Sequence, residues 1–177
     1  MLPALTLIVG AAASGKSSFA ERLVKHAGRP SVYIATAQTL DDEMRDKVRK
    51  HREQRGPDWR TVEEPLDVTS ALMGVKAGEV VLFDCATLWL TNHMLADHDL
   101  VAEEAHLLAT LTTCAAPVVV VANEVGAGIV PENALARRFR EAQGRFNQKI
   151  ASASDLVVTT IAGLPLVLKG TLPDGFK

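Results

Sequence analysis

Short runs of consecutive apolar residues alternate along the chain with stretches whose apolar positions recur every three or four residues. The runs at 4–9, 31–35, 79–84, 117–121 and 155–160 are apolar with little alternation, the pattern of strands covered on both faces. Weaker strand patterns lie at 59–62 and 164–168. Between them the spacing predicts helices over 17–26, 65–73, 88–94, 100–114 and 132–152. Strands that alternate with helices predict an α/β protein with a mostly parallel central sheet flanked by helices. Neither an internal repeat nor a low-complexity linker interrupts the pattern, so a single domain is expected over residues 1–177.

One predicted helix breaks the rule. Thr39 or Asp41 can cap a helix over 42–55, with acids at its start and bases at its end to suit the macrodipole. Met44 and Val48 are its only apolar residues, and His51 falls on their face. So thin a stripe cannot hold a helix by burial alone, so this one should be partly exposed, mobile or docked on another subunit. Gly56-Pro57 ends it.

Composition removes several function classes. The 177 residues are 47% hydrophobic and 23% charged with a net charge of −2, which argues against a broad basic surface for nucleic acid or anionic membrane. No apolar run approaches the roughly 20 residues that span a bilayer. Met1-Leu2-Pro3 leads directly into the first strand and leaves no room for a signal peptide. Cys85 and Cys114 sit in or beside apolar segments and read as buried, inert thiols, with no disulfide frame or Cys/His metal site suggested. A cytoplasmic protein is expected.

The chemistry begins at Gly10-Ala11-Ala12-Ala13-Ser14-Gly15-Lys16-Ser17, which fits G-x-x-x-x-G-K-[ST] between a predicted strand and a predicted helix. The glycines permit backbone angles that let successive N–H groups converge on one anion, and the helix dipole adds to that field. Lys16 can then reach the β/γ-phosphates and the Ser17 hydroxyl can ligate Mg²⁺. The strand at 79–84 ends in Asp84, the place for a carboxylate that bonds Mg²⁺ or its water. Ala35-Thr36-Ala37 leaves the sheet edge where ligands of open α/β sheets bind. On the charged helix, Arg52 and Arg55 beside His51 could clamp phosphates while a neutral imidazole attacks one. His26, His93, His98 and His106 have no such setting and read as structural or exposed.

These features and others resemble the bifunctional adenosylcobinamide kinase/adenosylcobinamide-phosphate guanylyltransferases of cobalamin biosynthesis. The resemblance is carried by residues 10–17, Val32-Tyr33-Ile34-Ala35-Thr36-Ala37, Asp42-Glu43-Met44, His51-Arg52 with Arg55, and Trp59-Arg60-Thr61-Val62-Glu63. It continues through Asn123-Glu124-Val125-Gly126, residues 128–133, Arg137, Phe139-Arg140, Gly144 and Asn147-Gln148. It implies a RecA-like P-loop domain that phosphorylates adenosylcobinamide from ATP or GTP. It also implies transfer of GMP from GTP to adenosylcobinamide phosphate through a histidine intermediate, with His51 at the matching position. Nucleotide contacts are implied at the P-loop, at Ala35, Thr36 and Ala37, at Arg52, Glu53, Gln54 and Arg55, at Glu63 and near Asp84, with Mg²⁺ as cofactor. A homotrimer is implied too, and would dock the thinly apolar histidine helix. The chain departs from the family in having Ala13 where an arginine is common, and some relatives carry Glu where Asp84 stands. The residues alone leave two other readings open: a P-loop small-molecule or nucleotide kinase without nucleotidyl transfer, and a RecA-like nucleotide-driven binding module. Guanine preference is not legible, because the Asn-Lys-x-Asp that commonly reads guanine is absent.

Overall fold

The computed structural model describes residues 1–38 and 59–176. Their order is β1 (Leu5–Gly10), α1 (Lys16–His26), β2 (Ser31–Ala35), β3 (Trp59–Glu63), α2 (Val68–Met73), β4 (Val80–Asp84), α3 (Ala86–Leu95), α4 (Leu100–Thr113), β5 (Val118–Asn123), α5 (Ala134–Ala153), β6 (Leu156–Ile161) and β7 (Leu164–Lys169). All seven strands join one sheet in the order β3-β2-β4-β5-β1-β6-β7. Six run parallel, and β7 returns antiparallel beside β6. The expected helix over 42–55 lies outside the described residues.

The unbroken apolar runs have a simple cause. Successive strand residues point to opposite faces, and both faces are covered. Val118 and Val120 enter one core with Leu7, Val81, Phe83, Trp89, Leu107, Phe146 and Ile150. Val119 and Val121 enter the other with Ile8, Phe19, Leu23, Tyr33 and Leu82. Helix α1 supplies the second core, whereas α2, α3, α4 and α5 supply the first.

Element ends differ from the sequence pattern where polar groups intervene. Helix α2 begins three residues later than expected, because the Glu64 carboxylate accepts from the N–H groups of Leu66 and Asp67 and holds a turn there. Asp67 then caps the helix by accepting from Ser70 N–H at 3.0 Å. Helix α3 begins two residues earlier than expected, with Cys85 Sγ accepting from Leu88 N–H as its cap. Cys114, expected buried, is only half-buried.

Phe146 is fully buried on α5, with its ring centroid 5.2 Å from that of Trp89. Phe146→Ala is therefore expected to cost about 3–5 kcal/mol in unfolding by urea. A loss below about 1 kcal/mol would mean that α5 does not seal this layer.

Candidate nucleotide site

Strand register brings the expected site residues to one edge. Glu63, Ala35 and Asp84 lie level across β3, β2 and β4, and Asp84 pairs onward with Val121, itself level with Ile8. Strand β1 continues two residues further to Gly10, where the loop leaves the sheet. This is the carboxyl edge of the six parallel strands, where open α/β sheets bind ligands.

The loop is held from both ends. At Gly10 a Cβ would lie 2.7 Å from Thr160 Oγ1 and 2.8 Å from its carbonyl, so no larger residue fits. The Ser14 hydroxyl, buried, meets Thr160 Oγ1 at 2.8 Å. Gly163 N–H donates to Ser14 O at 3.0 Å. Ala13 and Gly15 take left-handed conformations with φ of 57° and 93°, which curl the backbone into a concave nest. Gly15 is the N-cap of α1, no side chain among the described residues caps the helix, and its first turn contains no acid. Its leading N–H groups are thus left for an anion. Lys16 Nζ curls back to donate to Ala11 O at 3.2 Å. That position lies over the loop where phosphate oxygens would be received.

The acidic side of the site is built on β4. Asp84 accepts a hydrogen bond from the Tyr33 hydroxyl at 3.2 Å. The next residue, Cys85, is buried, and its thiol is pushed up to about 11. Burial is the main cause and the Asp84 carboxylate adds to it, while the Lys16 ammonium pulls the other way. Lys16 and Asp84 therefore act on one point, although β5 separates β4 from β1, the strand that leads into the Lys16 loop. The Ser17 hydroxyl and the Asp84 carboxylate are the hard oxygen donors that Mg²⁺ requires, so this edge fits that ion.

The remaining expected residues are placed as follows. Thr36 is fully buried, its hydroxyl donating to Cys85 O at 2.7 Å and accepting from Cys85 N–H at 2.9 Å. That pair locks the end of β2 to the end of β4; Ala35 is buried beside it, its carbonyl accepting from Glu64 N–H at 2.9 Å, and Ala37 is partly exposed. Glu63 is exposed at the end of β3. His51, Arg52, Glu53, Gln54 and Arg55 lie outside the described residues.

Sequence reasoning missed the props. The β6–β7 hairpin turns through Ala162 and Gly163, both at positive φ, as a two-residue primed turn requires. A glycine-ending pair between two apolar runs was the available signal. Asn92 on α3 donates to Thr36 O and Pro65 O, and Trp89 Nε1 donates to Leu66 O at 2.8 Å. Asn147 on α5 donates to Asn123 O and accepts from Gln143, which ties the loop after β5 to that helix.

A glycine-rich loop between β1 and α1, and an acidic strand end reached across one intervening strand, define a RecA-like P-loop nucleotide-binding protein. Solved structures agree on the fold: RadB recombinase superposes with a TM-score of 0.57 at 18% identity, covering 98% of this chain and 85% of that one. A protein of Pyrococcus horikoshii OT3 gives 0.53 at 9% identity over 99% of this chain and 90% of its own. Residues 6–168 match the profile of the CobU family, cobinamide kinase / cobinamide phosphate guanyltransferase, and the chain belongs to that family. It is 44% identical over 167 residues to the bifunctional adenosylcobalamin biosynthesis protein CobP of Pseudomonas aeruginosa, covering 93% of this chain and 96% of the relative. It is 40% identical over 183 residues to the bifunctional protein CobU of Salmonella typhimurium, with 93% and 99% coverage. The CobU of Escherichia coli K12 is 38% identical over 181 residues, with the same coverage.

Gly10→Val is expected to abolish binding of a fluorescent GTP analogue while the far-ultraviolet circular dichroism of the sheet persists. Wild-type affinity in that variant would show that the loop does not need its close approach to Thr160.

Proposed function

We propose that the protein phosphorylates adenosylcobinamide and then converts the product to adenosylcobinamide-GDP. The observation that carries this reading is a built P-loop cradle inside a chain that matches the cobinamide kinase / guanyltransferase family over residues 6–168. The names of the curated relatives, bifunctional in each case, support two activities on one scaffold.

In the first step the aminopropanol hydroxyl of adenosylcobinamide attacks the γ-phosphorus of ATP or GTP. The bond from that phosphorus to the β-bridging oxygen breaks, and the nucleoside diphosphate leaves. The nest and Lys16 hold the β- and γ-phosphates and stabilise the charge that gathers on them. In the second step an imidazole nitrogen of His51 attacks the α-phosphorus of GTP and pyrophosphate leaves. A phosphate oxygen of adenosylcobinamide phosphate then displaces the imidazole, forming the new P–O–P bond and restoring free His51. A phosphorus–nitrogen bond is labile enough to pass GMP to so weak a nucleophile. Arg52 and Arg55 orient the phosphates for both attacks, and Glu63 and Ala37 line the nucleotide's path at the rim, which the buried Ala35 and Thr36 support from below. Ser17 and Asp84 would hold Mg²⁺, which would supply neutralisation of the departing phosphate charge.

The chain works as one catalytic domain in the cytoplasm and assembles as a homotrimer. No helix among the described residues is long and apolar enough to cross a membrane. In support of assembly, the edge strand β7 exposes Leu164, Leu166 and Leu168, and Ile161 beside it is 66% exposed.

Incubation with GTP labelled at the α-phosphate tests the transferase. The expected result is label that stays on the denatured protein and is absent in His51→Ala. An unlabelled wild type with intact kinase turnover would leave only a P-loop kinase. Nucleotide hydrolysis indifferent to adenosylcobinamide would point instead to a RecA-like binding module.

A further inference from the structure

Helix α3 ends in a turn that brings two histidines face to face. Asp97 takes a left-handed conformation with φ of 55°, Asp97 N–H donates to Met94 O, and His98 N–H donates back to His93 O. This is the 6→1 and 5→2 bonding of a Schellman motif, which sets the residue after the left-handed position against the one five earlier. An apolar pair commonly fills that contact. Here it is His93 and His98, with their Nδ1 atoms 3.0 Å apart. Asp99 then caps α4, accepting from Val101 and Ala102 N–H, and the first turn of α4 carries Glu103. Glu103 Oε2 lies 4.0 Å from His93 Nδ1, and the three ligand atoms all fall within 4.8 Å of one another.

The protonation of His93 is set by its other nitrogen. Nε2 lies 3.2 Å from Leu66 O, a carbonyl that can only accept, so Nε2 carries the hydrogen and Nδ1 presents its lone pair to the cluster. An imidazole held this way by a backbone carbonyl is the usual outer-shell arrangement of a metal-ligating histidine. His93 is buried and further fixed by stacking on Trp89, with ring centroids 4.4 Å apart. His98 is exposed and Glu103 half-exposed, so an ion has an entry path from solvent.

We propose that His93 Nδ1, His98 Nδ1 and Glu103 form a binding site for a divalent transition-metal ion, with Zn²⁺ the best match. Two imidazole nitrogens and one carboxylate oxygen suit tetrahedral Zn²⁺ with water in the fourth position, whereas Mg²⁺ and Ca²⁺ favour oxygen donors throughout. In the metal-free pair the hydrogen between the nitrogens belongs to His98 Nδ1, since His93 Nδ1 is already the acceptor. On binding, that hydrogen moves to the exposed Nε2 of His98, and the ion takes its place. No local pattern betrays this site, because its three ligands follow no standard metal-binding spacing and meet only through the turn. The ion staples the end of α3 to the first turn of α4, and through His93 to the Leu66 loop. None of the three ligands belongs to the P-loop, so failure of the metal test would leave the nucleotide reading untouched.

Full-length protein stripped with a chelator and kept in excess Mg²⁺ is titrated with Zn²⁺ against a chromophoric zinc indicator. The wild type is expected to take up one Zn²⁺ equivalent that His98→Ala and Glu103→Ala bind more weakly by at least the roughly 10- to 100-fold seen on removing an outer-shell partner. Both changes lie at accessible positions, and circular dichroism checks that the variants remain folded. Co²⁺ in the same site should give visible bands of tetrahedral intensity that His98→Ala lacks. No zinc uptake by the wild type, or undiminished affinity in either variant, would overturn the proposal.

Discussion

Gly10 has no room for a side chain, and the geometry of the phosphate cradle follows from that close approach. The loop leaves β1 pressed against Thr160 of the neighbouring strand, so Ser14 can reach the same threonine with its hydroxyl. Gly163, at the tip of the β6–β7 hairpin, then takes up the Ser14 carbonyl. A peptide loop of small residues has little packing of its own, and the three alanines between Gly10 and Gly15 are all exposed. Its shape is set from outside, by hydrogen bonds to β6 and to the hairpin tip. Preorganised N–H donors of this kind need not reorganise when charge shifts on a bound phosphate, which is where their value in phosphoryl transfer lies.

The opposite wall is built on the same plan, with buried polar groups used as fasteners rather than as ligands. Thr36 binds the Cys85 peptide unit from both sides, and Asn92 gathers the carbonyls of Thr36 and Pro65. Together they hold the ends of β2, β3 and β4 in a level row. Asp84 consequently faces the cradle from a fixed position, with Lys16 and Asp84 acting oppositely on the Cys85 thiol between them. Burial keeps the thiol protonated at neutral pH.

Much of this was legible in the residues. The five long apolar runs gave all the central strands, because a strand buried on both faces leaves no other pattern. The P-loop motif located the cradle, since its glycines and lysine are required by local backbone and charge. The props were not legible for a reason of distance: Thr160 and Gly163 lie about 150 residues from the loop they hold, and no local pattern encodes a contact that remote. Helix ends shifted where single side chains intervened, Glu64 ahead of α2 and Cys85 ahead of α3, which periodicity does not register. Thr36 was read as a nucleotide contact from its place at the edge, and the structure adds its fastening role, visible only once β4 is beside it.

The backbone nest, shaped by β6 and the hairpin behind it, is proposed to hold the β-phosphate of a nucleotide. Calorimetric titration of the His51→Ala protein with GTP, GDP and GMP tests it without turnover. GTP and GDP should each bind at least roughly tenfold more tightly than GMP, since only they bring the β-phosphate and its charge-assisted hydrogen bonds. Equal affinity for all three would contradict the account, because recognition would then rest on the nucleoside and not on the nest.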